Sequence, residues 1–303
     1  MFTLNVLAAT RTIEKTMPFM LYRLLLCLGL GLTFLLATLI GAGTVVAFSS
    51  FAKNPAAMAG LGGGLGFIAC ACGTYYFRTT WLKTLTASHL ALLVAQIRQG
   101  DIPEGKAQID YAAKQVSTCF ASAAELNKLD QAIKTSLMDT ASLYPLQVTS
   151  NPALQKAVNK WVGWLFASHH QTVLAWHFYS GTPDGWNNAR VAISCLAGHF
   201  RLVLRNRLIM AVFEWLGWAG FYALMLYPTG LVAHSLPVAI GTWQYVFAAV
   251  FAWCLKMAFL EPISEATLME GILPHIKAMP EQEAALAEHS GAFKLIRQQG
   301  QTH

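Results

Sequence analysis

The chain has 303 residues, only 12% of them charged, and a mean hydropathy of +0.45. Soluble domains carry about 25% charged residues, so this composition excludes a chain that faces water over its whole surface and points to an integral membrane protein. The net charge of +6 comes from basic residues spread along the chain, which argues against a nucleic-acid partner and for anionic lipid headgroups.

Residues 1–20 alternate apolar Leu4, Leu7 and Ile13 with Arg11, Glu14 and Lys15, the pattern of a short interfacial helix. After Arg23 the stretch from Leu24 to Phe48 is apolar and uncharged. A helix of about 20 residues crosses the roughly 30 Å hydrocarbon core of a bilayer, so this is the first expected span. It exceeds a signal-peptide h-region and no clear small-x-small site closes it, which makes it a retained anchor. A short turn from Ser49 to Pro55 holds Lys53, and a second span runs from about Ala57 to Phe77, ending at Arg78. That span opens on GLGGGLG. Gly60 and Gly64 are four residues apart, as are Gly62 and Gly66, so a bare helix face is expected to let a neighbour approach closely. A phosphate loop is excluded, because no GK[ST] follows and no strand precedes.

From residue 78 to 160 the chain changes character, with nine basic and six acidic residues. Leu85, Leu90, Leu92, Leu93 and Ile97 recur at helical spacing between Leu82 and Arg98, ahead of Gly100 and Pro103. From about Gly105 to Leu143, Ile109, Ala112, Val116, Phe120, Ala123, Leu126, Leu129, Ile133 and Leu137 form a 3-4 repeat. This predicts an antiparallel helical hairpin or a coiled-coil-like contact. The plainer reading is a helical domain packed on itself; the sharper one is a seam for an oligomer or partner.

Residues 156–180 have the length of a span but not the chemistry. Ser168, His169, His170, Gln171 and Thr172 are five consecutive polar residues that would sit near the bilayer centre. Trp161, Trp164, Trp176 and Tyr179 favour the membrane interface, so a helix lying in or dipping into the cytoplasmic interface is expected. Pro183, Asp184 and Gly185 make a turn. A second amphipathic helix, Trp186 to Arg207, carries Arg190, His199, Arg201, Arg205 and Arg207. The pair reads as a surface hairpin or, in the alternative, as two marginal spans.

A third span, Leu208 to Tyr227, and a fourth, Thr242 to Leu260, flank an uncharged loop, and the tail after Glu261 and Pro262 is acidic and then basic. Of the 21 basic residues, Lys53 alone falls in the short turns 49–56 and 228–241, Lys256 falls inside a span, and nineteen fall elsewhere. The positive-inside rule then puts both termini in the cytoplasm. The expected fold is all-α and polytopic, with four transmembrane helices (six as the alternative), amphipathic interfacial helices and a cytoplasmic helical domain. Its expected divisions are an N-terminal transmembrane hairpin (1–78), the cytoplasmic helical domain (79–155), the amphipathic hairpin (156–207), a C-terminal transmembrane hairpin (208–262) and a cytoplasmic tail (263–303).

Ionisable residues inside spans are functional candidates. Glu214 and Lys256 fall at similar depth in antiparallel spans and are expected to pair, which lowers the cost of burying either. The plainer reading has Lys256 snorkelling to the headgroups and Glu214 meeting an arginine. Arg201, Arg205 and Arg207, at the mouth of the third span, are expected lipid or anion contacts. His169, His170 and His177 lack a partnering carboxylate or Cys at ligand spacing, and a zinc site wants three or four ligands, so no metal is expected. The six cysteines, at 27, 70, 72, 119, 195 and 254, form no CxxC pair and read as small buried hydrophobes. No catalytic signature is present, and neither an enzyme nor a cofactor is expected.

The stretch RNRLIMAVFE, with Arg205, Asn206, Ala211, Val212 and Glu214, and the FLE at Phe259, Leu260 and Glu261, resemble part of the choline transporter-like family. There an Arg-Asn pair opens a late transmembrane helix. The resemblance covers residues 200–265, about a fifth of the chain, and implies solute transport. This chain departs from that family in lacking its roughly ten spans and large extracellular region, and no residue here supports choline as substrate. The expected function is a transport or channel-like component of the cell inner membrane, working as a homo-oligomer or in a membrane complex. The alternative is a non-catalytic scaffold whose cytoplasmic helices dock a partner protein.

Overall fold

The computed structural model describes residues 4–48, 54–77, 82–234 and 243–301. Most of the first expected turn, Arg78, and 235–242 of the loop between the third and fourth spans lie outside the described residues. Among the described residues every regular element is helical: α1 (Val6–Lys15), α2 (Met17–Phe48), α3 (Pro55–Phe77), α4 (Lys83–Ile97), α5 (Ala107–Cys119), α6 (Ala123–Ser142), α7 (Pro152–Ala167), α8 (His170–Ser180), α9 (Gly185–Gly198), α10 (Phe200–His234), α11 (Gln244–Leu255), a π-helical turn (Lys256–Leu260), α12 (Glu261–Ile272), a 3₁₀ turn (Leu273–His275), α13 (Pro280–His289) and α14 (Gly291–Gln299).

Among the described residues four helical stretches are long and apolar enough to cross a membrane, by length and composition: Met17–Phe48, Pro55–Tyr76, Phe200–His234 and Gln244–His275. They fall where the four spans were expected. The helices between Pro152 and Gly198 have 16, 11 and 14 residues, short of the roughly 20 that a span needs.

The chain divides into two compact units. The first gathers Met1–Phe19, Thr80–Ala211 and Ile263–His303. Its core is built on α4, where every residue from Ala87 to Val94 is buried, and on α9, which is buried almost all round. Helix α6 packs on α7, and α14 covers both α6 and α9 with Phe293 and Ile296 fully buried. Local chemistry sets the breaks. The 3-4 repeat read over 105–143 is interrupted at Phe120, whose backbone is extended. Ser122 Oγ accepts the Glu125 amide at 3.2 Å, while Glu125 reaches back to the Ala121 amide at 2.8 Å. This reciprocal cap starts α6 and is worth about 1 kcal/mol. Asn151 with Pro152 starts α7, Asp184 starts α9 and Ser290 starts α14, each by a cap side chain that accepts first-turn amides without a reciprocal bond.

The second unit gathers Met20–Thr79 and Val212–Pro262. Helices α2 and α3 meet there through glycine. A Cβ at Gly41 would collide with the Gly62 carbonyl oxygen, one at Gly62 with the Gly41 carbonyl, and one at Gly66 with the Ala37 carbonyl. The two backbones therefore touch, as small residues allow. Beside this contact Phe67 packs on Phe34 and Trp243, at ring separations of 4.9 and 5.9 Å.

Candidate functional site

Four charged side chains converge in the second unit. Lys256 Nζ lies 2.8 Å from Glu214 Oε2 and 3.0 Å from Glu261 Oε1, and Arg23 Nη2 lies 3.3 Å from Glu261 Oε2. The order Glu214–Lys256–Glu261–Arg23 thus alternates in sign and draws on α10, the π turn, α12 and α2. Arg23, Glu214 and Lys256 are all buried, and Glu261 is the most exposed of the four at 25% of its side chain.

The π turn makes this arrangement possible. Residues five apart on an α-helix point about 140° away from each other. Lys256 and Glu261 are separated by five, and the Glu261 amide donates to the Lys256 carbonyl. The wider turn brings both side chains onto one face. The Trp253 ring lies 5.2 Å from Lys256 Nζ and adds a cation–π contact.

The glycines divide into two pairs. Gly62 and Gly66 sit in the α2–α3 contact; Gly60 and Gly64 face open space. The arginines divide as well. Arg201 and Arg205 are exposed. Arg207 turns into the first unit, donating to Ser168 Oγ at 2.6 Å and Ser264 Oγ at 3.0 Å, and lying 3.4 Å from Glu265 Oε1.

The first unit has its own polar centre. Asp130 Oδ2 is 3.0 Å from both Lys83 Nζ and Lys134 Nζ, and Asp130 Oδ1 is 3.6 Å from His170 Nε2. Burial pushes the Asp130 carboxyl up, but His170, Lys134 and Lys83 together outweigh it and hold the pKa below the usual carboxylate value. Burial drives His170 down to about 4 against the opposing pull of Asp130. It drives His169, which is fully buried, down to about 3, helped by the Arg207 charge. Both imidazoles are neutral at pH 7. His177 Nδ1 is 2.9 Å from Asn188 Nδ2, and His199 Nδ1 is 3.0 Å from the Cys195 carbonyl oxygen. Among the described residues no group of three His, Cys, Asp or Glu side chains is placed to hold a metal ion.

Arg23 and Glu261 read in the sequence as boundaries of spans, so their place beside Lys256 went unforeseen. The 256–261 spacing carries no signal unless a π turn is assumed. Asp130 was also missed, although its pairing with Lys134 at i,i+4 is a standard helical signal. Comparison with protein-family models, with curated proteins and with solved structures finds no match.

Proposed function

We propose that this is an integral membrane protein acting as a transport or channel-like component, with the Arg23, Glu214, Lys256 and Glu261 cluster as its ion- or proton-coupling site. The observation that carries the reading is the convergence of four charges within candidate spans. A buried ion pair stabilises a fold little better than apolar residues of the same volume, so packing alone gives no reason to place two carboxylates, an ammonium and a guanidinium there. Intramembrane ionisable groups more often mark a path for ions or protons. The π turn at Lys256 supports the same reading, since such turns concentrate at functional sites. Four spans enclose little volume, so a homo-oligomer or a larger membrane complex would form the path.

The excess of basic residues outside the short turns favours both termini on the cytoplasmic side of a cell inner membrane. Arg201 and Arg205, exposed at the start of α10, then suit anionic headgroups.

The test is flux into proteoliposomes holding the purified full chain, with proton or cation movement followed by an internal dye. Glu214→Gln and Lys256→Met should abolish flux while the protein remains monodisperse on size exclusion. Undiminished flux in both folded variants, or no flux for any ion in the parent, would overturn the coupling reading. A second reading, a membrane-anchored scaffold, is favoured by one observation: the cluster is neutral in sum and each member is bonded to another. A scaffold would tolerate the double Glu214→Gln/Lys256→Met change and fail when the 109–137 helices are made polar on their apolar faces.

A further inference from the structure

Helix α7 has apolar side chains on two adjoining faces, and the protein covers only one of them. Val162, Leu165 and Phe166 are buried against the first unit. On the adjoining face Leu154, Trp161 and Trp164 remain 57, 48 and 61% exposed. At 100° per residue Leu154, Ala157, Trp161 and Trp164 fall within one stripe of the helix, and Lys156 and Lys160 run along one edge of it. Helix α7 contains no Asp or Glu.

We infer that this outward face of α7 lies in the headgroup layer of an anionic membrane. Tryptophan is enriched at that layer because its ring is apolar and its N–H wants a polar partner. A cationic edge beside an apolar stripe is the pattern of helices that lie in the membrane plane, and each lysine near an anionic surface adds about 1 kcal/mol of attraction. The charges beside the stripe are of one sign only, which complements an anionic lipid surface.

The end of α7 is also tied to the start of α10 within the first unit. Its cap residue Ser168 accepts from Arg207 at 2.6 Å, and Phe166 packs on Phe200 at 4.8 Å. Arg207 is the last basic residue before the apolar run of α10, which is where a membrane boundary falls if α10 crosses. The inference therefore rests on the membrane reading above, and not on transport.

The test uses the full chain with Cys70, Cys72 and Cys119 replaced by Ala and the buried cysteines kept. A nitroxide is attached in turn at positions 161, 164, 216 and 288, and the protein is placed in vesicles of phosphatidylcholine with or without phosphatidylglycerol. Leu216 is 69% exposed on α10 and reports the candidate span; Glu288 is exposed on α13 and reports water. We expect collisions with oxygen to exceed those with a water-soluble nickel chelate at 161 and 164, as at 216, and the reverse at 288. Lys156→Glu with Lys160→Glu should reduce that contrast in the anionic vesicles alone. Chelate-dominated collisions at 161 and 164 with a lipid-like 216 would overturn the inference and leave the spans standing. Shielding of both positions from both reagents would place a protein surface there and overturn it equally. A water-like 216 would remove the membrane reading and this inference together.

Discussion

Lys256 Nζ and Glu214 Oε2 are 2.8 Å apart, with 7% of each side chain exposed. Removing one partner of such a pair leaves a buried charge with less compensation, typically at a cost of about 3–5 kcal/mol. Glu214→Gln and Lys256→Met should each lower the thermal midpoint of the detergent-solubilised protein. The Glu214→Gln/Lys256→Met double variant should recover part of the loss. Strict additivity of the two single effects would show that the pair contributes no coupling.

The glycines of α3 should separate by face. Gly66→Ala would drive a methyl into the Ala37 carbonyl of α2 and destabilise the second unit. Gly64→Ala meets nothing within 4 Å and should be neutral or stabilising by up to about 1 kcal/mol from helix propensity. Thermal unfolding of the two variants side by side checks this. Equal effects would refute the close approach of α2 and α3.

Acidification should weaken the first unit before it touches the carboxylates. The folded pKa values of His169 and His170 are depressed to about 3 and about 4 from the ordinary histidine value of 6.5. Below about 6.5 the unfolded chain binds protons that the folded chain refuses, so stability is full above that pH and falls as pH drops towards 4. Each such proton contributes a slope of about 1.4 kcal/mol per pH unit. Asp130, whose pKa is also depressed, adds the same sign below its unfolded pKa. Denaturant midpoints measured from pH 7.5 to 4.5 should show the slope, and His169→Phe should flatten it. A midpoint that is flat or rises on acidification would contradict the depressed pKa values of these imidazoles.

Arg207 should matter to stability far more than its neighbours. It is 11% exposed in its side chain and bonded to Ser168, Ser264 and Glu265, so Arg207→Ala removes a cation from beside a buried carboxylate and is expected to cost about 2–4 kcal/mol. Arg205→Ala, at an exposed position, should stay within about 0.5 kcal/mol. Comparing unfolding midpoints of the two variants decides it.

The four candidate spans were legible because an uncharged apolar run needs no tertiary partner to declare itself. The neighbourhood of Lys256 and Glu214 was legible for the same reason, since charges stand out against such runs. What lay beyond reading depended on a break in periodicity or on distant partners. The stretch 156–180 read as one helix through the polar run from Ser168 to Thr172, yet the helix breaks there between α7 and α8. His169 is buried, and His170 meets Asp130 from a helix some forty residues earlier. The interruption at Phe120 was readable in principle, because Ser122 and Glu125 have capping-box spacing, but the apolar repeat running through it masked the signal.

The first unit is assembled from stretches that are far apart in the chain. Its core includes Phe293 and Ile296 of α14, and Ser290 Oγ donates to Asp139 Oδ2 at 2.7 Å. During translation, at roughly 5–20 residues per second, α6 and α9 would emerge well before the helix that covers them. Until then their apolar faces would stay open to aggregation or to chaperones. The order of synthesis thus leaves an interval in which this unit depends on the cell's folding machinery, and truncation before α14 would make that dependence permanent.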